Sequence, residues 1–303
     1  MLEGLINSID PYILQILVNI GIAVILALGL NVITGMTGQL ALGHAAFMSI
    51  GAFSGALLSL KTGVPFSINL LLSGTVTAAA AAVIGWPILR LTGDYLAICT
   101  LAFAEIVKVC LLNLEITNKA LGLSVPPPRS PLPMPLTVLI CVCLAIVASA
   151  FIANSRFGRA LTAIRDDEIA AESMGINCAR YKVQSFAISA FMAGVGGSLY
   201  AHFLGYINPS DFGFHKSVDM LCMVVLGGLG SIPGALLGAA LLSAAPEFLR
   251  FMAQYRMLVY GALLVSLMVF RPNGLLGGVD SAAMLLRKLG LRRRCALPPR
   301  EGS

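Results

Sequence analysis

The sequence predicts an all-α polytopic membrane protein of about nine transmembrane helices, within a range of eight to ten, with broken or re-entrant segments near 34–60 and 217–249. Three observations carry this. Of 303 residues, 58 % are hydrophobic and only 11 % are charged. A soluble domain is about a quarter charged, so charge here is too scarce to cover a water-facing surface. Stretches 11–32, 64–89 and 132–154 contain no charged residue, and each reaches the roughly 20 residues that a helix needs to cross a bilayer. None alternates apolar with polar residues as a barrel strand would, and in lipid only helices and closed barrels satisfy every backbone N–H and C=O.

In chain order, residues 1–10 are an acidic lead. Glu3 and Asp10 flank the first apolar run and no basic residue does, so it reads as a permanent span (11–33) rather than a cleavable signal peptide. A break rich in glycine and hydroxyl residues follows, Asn31-Val-Ile-Thr-Gly-Met-Thr-Gly-Gln39. Stretch 40–60, dense in Gly and Ala, reads either as a full span or as a re-entrant half-helix. A turn at 61–65 leads to spans 66–89 and 95–114, the latter containing Glu105 and Lys108. Stretch 115–135 is polar and includes Pro126-Pro-Pro-Arg-Ser-Pro131, a composition suited to an irregular connection. Span 134–154 precedes a charged loop, 155–182, and span 183–205 follows it. In that span Gly194, Gly196 and Gly197 let helices approach closely. After a loop at 206–216, stretch 217–249 is apolar but interrupted by Gly227-Gly-Leu-Gly-Ser-Ile-Pro-Gly234, giving two short crossings or one re-entrant pair. The last span is 256–270. This divides the chain into a membrane domain, 1–277, and a basic tail, 278–303. The seven cysteines show no metal-ligand spacing and read as small apolar residues.

Charge sets the orientation. Loop 156–182 holds Arg156, Arg159, Arg165, Arg180 and Lys182 together with Asp166, Asp167, Glu168 and Glu172. With the stretch from Arg271 onward it carries twelve of the twenty basic residues. Lys and Arg mark cytoplasmic loops, so loop and tail are expected inside, and five crossings before the loop leave the N-terminus outside, on the periplasmic side. The net charge of +6 is explained by these two places and does not point to nucleic acid. The tail stretch 287–294 suits anionic lipid.

The charged loop also has a pattern that topology alone does not explain. Ser155 or Asn154 can cap a helix, and Phe157, Ala160, Leu161, Ile164, Ala171 and Met174 fall at helical spacing, with Glu168 interrupting the stripe. Gly175 is a natural stop and Asn177 a cap for the next helix. A short amphipathic helix, 161–174, is expected at the membrane face, with Ala170 and Ala171 suited to a groove on a soluble partner.

AIRDDEIAAESMGIN, residues 163–177, resembles the coupling loop of ABC-importer permeases, the segment that docks on the ATPase subunit. More widely the chain is similar to branched-chain amino acid permeases of the LivM type. Four blocks carry this in order: Asn31-x-x-Thr-Gly-x-Thr-Gly-Gln-Leu-x-Leu-Gly-His-Ala45, Gly93-Asp-Tyr-Leu-Ala-x-x-Thr-Leu-Ala-Phe-x-Glu-Ile-Val107, Leu226-Gly-Gly-Leu-Gly-Ser-x-x-Gly234 and Phe270-Arg-Pro-x-Gly-Leu-Leu-Gly277. The resemblance covers about 15–277. Two departures stand out. Ile169 occupies the place of the Glu in the general Glu-Ala-Ala-x-x-x-Gly pattern and Glu168 comes one place early, leaving the docking face open by about 100°. The turn after the fourth span is Thr117-Asn-Lys-Ala-Leu-Gly122 instead of the family's Gly-Gly-Pro-Asn-Gly-like form.

The resemblance implies a permease subunit of an ABC importer for branched-chain or related amino acids, in the inner membrane. Its implied partners are two ATPase subunits, a second similar permease and a periplasmic solute-binding protein. No cofactor, metal or catalytic residue is implied. The coupling residues are Arg165, Asp166, Asp167, Glu168, Ala170, Ala171, Glu172 and Gly175.

Candidate path residues come from the membrane segments. Asn31, Thr34, Gly38, Gln39 and His44 lie in or beside the first break, and Glu105 and Lys108 share a face of one span. Paired glycine-rich interruptions, here 35–51 and 227–240, mark a path between two halves of a transporter, or merely close helix packing. Glu105 and Lys108 read as path residues or as a structural pair. The Gly-rich stretch 227–231 lacks a P-loop lysine, and neither H-E-x-x-H nor G-x-S-x-G occurs, so the chain is not expected to hydrolyse ATP or peptides. An ion-coupled secondary transporter and a non-transporting membrane scaffold are the alternatives.

Overall fold

The apolar runs become helices because nothing else pairs their backbone groups internally. The computed structural model describes residues 10–91, 93–128, 132–248 and 261. Helix α1 (Pro11–Asn31) starts on a proline, whose missing N–H is not needed in a first turn, and runs into a π-helical turn, Val32–Met36. An extended stretch leads to α2 (His44–Thr62), which stops at Gly63 in the left-handed region (φ 60°). Then come α3 (Phe66–Ile88), α4 (Asp94–Asn113) and α5 (Met134–Asn154). The charged loop forms α6 (Arg156–Asp166) and α7 (Glu168–Ser173). Helix α8 (Cys178–Leu204) is the longest, and α9 (Phe214–Gly227) and α10 (Ile232–Phe248) complete the described chain. Six of these helices are long and apolar enough to cross a membrane, α1 to α5 and α8.

Helix α8 is the hub. Gly51, Gly55 and Ser59 of α2 meet Gly194, Ser198 and His202 of α8 in that order, so the two helices run parallel. A Cβ at Gly51 would strike the backbone of Gly194, and one at Gly197 would strike the carbonyl of Met48; small residues make the approach possible. Helix α3 is antiparallel to α8, with Gly85 beside Phe186 and Gly74 beside Phe191. Polar side chains lie within this packing: Asn69, Ser73, Thr77, Ser185 and Ser198 are buried, whereas Val83, Trp86, Ile98, Leu144 and Phe151 face outward. A water-soluble protein would show the reverse, and an apolar exterior around a partly polar interior is what lipid selects. The chain is an integral membrane protein.

The bundle has two distinct ends. At one, strand β1 (Leu123–Ser124) pairs antiparallel with β2 (Tyr206–Ile207), tying the connection after α4 to the one after α8. Tyr206 Oη donates to the Leu121 carbonyl at 2.7 Å and Asn208 Nδ2 to the Ala120 carbonyl at 3.1 Å. At the other end lie α6, α7, the π-helical turn and the tip between α9 and α10.

Several boundaries differ from the sequence reading. The single amphipathic helix expected over 161–174 is two helices, because Asp167 takes extended geometry (φ −158°) and caps α7 with its own carboxylate. The break near 34–60 is confined to 32–43, and α2 beyond it is a full 19-residue helix. Helices α9 and α10 have 14 and 17 residues. At 1.5 Å per residue α9 is roughly 21 Å long, less than the roughly 30 Å of a hydrocarbon core, and α10 is described as far as residue 248. They form a hairpin, Gly227 packed on Gly234 and Met223 on Gly238. Helix α8 begins at Cys178 rather than 183, since buried Lys182 is already inside it. Of the expected span 256–270 only residue 261 is described, and the tail 278–303 lies outside the described residues, so the described residues hold six helices long enough to span and one hairpin, and the expected count of nine crossings extends beyond them.

Candidate coupling face and translocation path

The candidate coupling segment is built by short-range capping. Ser155 Oγ accepts from Gly158 N at 3.1 Å and opens α6, and Leu161 and Ile164 seat that helix by burying one side. Asp167 Oδ1 accepts from Ile169 N at 2.9 Å and Ala170 N at 3.0 Å, satisfying two donors that a helix start leaves free. Gly175 (φ 84°) ends the α7 turn and Asn177 Oδ1 accepts from Arg180 N at 3.1 Å to open α8. Phe157 lies 5.5 Å from the Tyr181 ring.

This settles which way α7 faces. Glu168 turns inward and takes an ion pair from Lys182 Nζ, whose side chain is only 5 % exposed. Ala171 is buried. What remains outward are Ile169 (79 % exposed), Met174 (83 % exposed), Ala170 and Glu172. Two fully presented apolar side chains on an otherwise polar loop form a docking-like face. The departure at position 169 thus puts an isoleucine outward, while Glu168 anchors the segment to α8. Asp166 is exposed, 3.7 Å from Arg165 Nε.

Arg165 points the other way. Its Nη1 donates to the Gly35 carbonyl in the π-helical turn at 2.9 Å. The stem passes Gly38 (φ 70°), where a Cβ would come within 2.6 Å of Arg165 Cγ, and the guanidinium lies against Gly230. Gly35 itself packs on the Gly230 backbone so closely that a Cβ would collide with Gly230 N and with Asn31 Oδ1. Asn31 then spans the two breaks: Oδ1 accepts from Gly230 N at 2.9 Å and Nδ2 makes a long 3.5 Å contact with the Ser231 carbonyl. Both glycine-rich interruptions therefore meet in one junction, with the coupling segment attached to it through one arginine.

The remaining candidates are placed unevenly. Thr34 and Gln39 are buried beside the junction, and neither Thr34 Oγ1 nor Gln39 Oε1 has a hydrogen-bonding partner among the described residues. His44 opens α2 in the packed interior against Gly29. From there Leu42 N donates to Thr100 Oγ1 (3.1 Å) and Ala45 N to Ser217 Oγ (3.2 Å), so the extended stretch is held by α4 and α9. Glu105 and Lys108 pair with each other at 3.3 Å, half-exposed on α4, with Lys108 Nζ beside Gly213 near the sheet-bearing end. They are not part of the junction.

Comparison with known proteins decides the family. The family described as branched-chain amino acid transport system / permease component matches residues 12–268. The chain belongs to this family. It is 40 % identical to the high-affinity branched-chain amino acid transport system permease protein LivM of Salmonella typhimurium, over 84 % of this chain and 68 % of that one, and 39 % identical to LivM of Escherichia coli over the same shares. It is also 38 % identical to LivH of Salmonella typhimurium, but over 134 residues, 44 % of this chain. No solved structure matches.

In this permease the sequence reading names Asp167 among the coupling residues but not its role as a cap, and it leaves out the contacts of Gly230 and Ser231. Asp167 as a cap was legible from an Asp followed by Glu in a first helical turn, but two adjacent aspartates hid which one acts. Gly230 and Ser231 were singled out only as a break. Their contact with Asn31, 199 and 200 residues away in the chain, has no local signal.

Proposed function

We propose that this permease is the membrane-spanning subunit of an ABC importer for branched-chain or related amino acids. The observation that carries the reading is the two-sided coupling segment: α7 offers Ile169, Ala170 and Met174 outward, while one turn earlier Arg165 reaches the junction of both helix breaks. Such an arrangement suits a lever. Two ATPase subunits, one under this chain and one under a similar second permease, would grip α7 in a groove. Their closure on ATP would pull α6 and, through Arg165, the π-helical turn and the α9–α10 tip. Transport then needs no catalytic residue, only two conformations stabilised differently by nucleotide.

In this reading the α6–α7 end is cytoplasmic and the β1–β2 end periplasmic, where a solute-binding protein would dock; the N-terminus is outside and the tail inside. Asn31, Thr34, Gly38 and Gln39 would form the inner gate of the path, and the membrane domain would run to 277. Gentle purification of the tagged chain tests this directly. An ATPase subunit should co-purify, Ile169→Asp should abolish that association with the chain still inserted, and leucine uptake should stop when ATP is depleted under a maintained ion gradient. Uptake that persists without ATP and with no associated ATPase would replace the importer with an ion-coupled carrier.

A further inference from the structure

Helix α9 is anchored by one face and idle on another. Ser217 fixes its rotation by accepting from Ala45 N at 3.2 Å. Lys216, Asp219, Met220 and Met223 then fall three and four apart on a second face, and all four line a cavity of about 340 Å³ among α1, α2, α8, α9 and α10. That volume is at the small end of small-molecule sites.

The two charges in the cavity are the unusual feature. At the same i, i+3 spacing, Glu105 and Lys108 close an ion pair at 3.3 Å. Lys216 and Asp219 do not: among the described residues neither makes a hydrogen bond or an ion pair within 4 Å, and the Lys216 ammonium instead lies 5.2 Å above the Tyr200 ring. Lys216 and Asp219 are each partly buried, and opposite charges held apart in such surroundings favour a ligand that bridges them. The rest of the lining is mostly apolar, with Ile22, Leu26, Met48 and Met220 beside the polar Asn19 and Ser243, and methionine adapts to branched aliphatic shapes.

We infer that this cavity is a site for the zwitterion of an aliphatic amino acid, its carboxylate on Lys216, its ammonium on Asp219 and its side chain against the Ile22–Met48 wall. The inference deepens the importer reading, on which it rests, by naming a site in this chain and the ligand groups that it would read. A neutral amide or urea would leave both protein charges unpaired, and a simple carboxylate or amine would leave one. Tyr200 and Leu204 place the cavity toward the sheet-bearing end, where a substrate released by a binding protein would arrive first.

The test is equilibrium dialysis of the purified complex, in the absence of the solute-binding protein, with leucine, 4-methylpentanoate (no amine) and leucinamide (no carboxylate). Wild type should bind leucine saturably and at least ten-fold more tightly than either analogue. Asp219→Asn should weaken leucine at least ten-fold while leaving 4-methylpentanoate unchanged, and Lys216→Met should do the same with leucinamide unchanged. No saturable binding by wild type, variants that bind leucine as wild type does, or equal losses for all three ligands would overturn the site, the last by showing a general packing defect. ATP-driven uptake by the same wild-type preparation keeps the two readings apart: its absence sinks the importer, whereas uptake with charge-blind binding sinks the site.

Discussion

Arg165 and Lys216 are both cations aimed into the bundle from short helices, and they sit in opposite surroundings. Arg165 has spent a donor on the Gly35 carbonyl at 2.9 Å, between Gly38 and Gly230. Lys216 has an aromatic face at 5.2 Å and an open cavity, with no ion pair within 4 Å among the described residues. Around Arg165 backbone lies on backbone, and Asn31 crosses between the two breaks. Around Lys216 flexible methionines line a void. A region packed on glycine passes displacement on, because it has no slack to absorb it. A region with slack and unmatched charge can take in a ligand. In the proposed reading the first region transmits and the second receives, and the difference lies in residue type: glycine at one place, methionine with a split ion pair at the other.

The largest expected effect is at the tight region. Gly35→Ala puts a methyl group into Asn31 Oδ1 and into the Gly230 backbone, and the backbone has no side-chain freedom with which to yield. Overpacking of this kind costs about 1–3 kcal/mol. Thermal unfolding of the purified complex should fall accordingly, and uptake should drop to background. If Gly35→Ala were as stable and active as wild type, the two breaks would not be in the contact described and the comparison would lose one side.

A smaller loss is expected at the base of the coupling segment. Glu168→Gln leaves the buried Lys182 ammonium without its counter-charge. Because Glu168 is itself 39 % exposed, solvent screens much of this, and about 1 kcal/mol is expected rather than the several of a fully buried pair. Limited proteolysis within α6–α7 should quicken, while ATPase association survives through Ile169 and Met174. Equal proteolysis rates would show that Glu168 faces the partner instead of α8.

The smallest effect is expected from Glu105→Gln and Lys108→Met. This pair is half-exposed and closed on itself, so leucine uptake should stay within about two-fold of wild type, in line with the small worth of such pairs. Loss of uptake in Glu105→Gln, with pH dependence abolished, would revive the ion-coupled alternative. It would also move the functional charge pair from α9 to α4.

Much of this architecture could be read from the chain, and the reasons are local. Charge-free runs gave α1, α3 and α5 within a residue or two, because lipid leaves no other solution for such segments. Ser155, Gly175 and Asn177 announced their caps because each acts on neighbours within three residues. The 217–249 interruption was visible as glycine, but helices of 14 and 17 residues packed as a hairpin became clear only when Met223 and Gly238 were seen in contact. The Lys216–Asp219 face was hidden for a different reason: a boundary between loop and span had been drawn between those two residues. The junction at Asn31 depends on partners far apart in the chain, which pattern cannot reveal.

One measurement bears most directly on the account as a whole: the number of leucine molecules imported per ATP hydrolysed in proteoliposomes holding Arg165→Ala. The account predicts a complex that assembles with its ATPase and keeps hydrolysis within about two-fold, with import per ATP at least ten-fold lower, since the link from α6 to Gly35 is gone while the outward face of α7 is intact; Arg165→Lys, with a shorter donor, should fall between. An Arg165→Ala complex that imports leucine at the wild-type ratio would contradict it, and would mean that force reaches the helix breaks by another route.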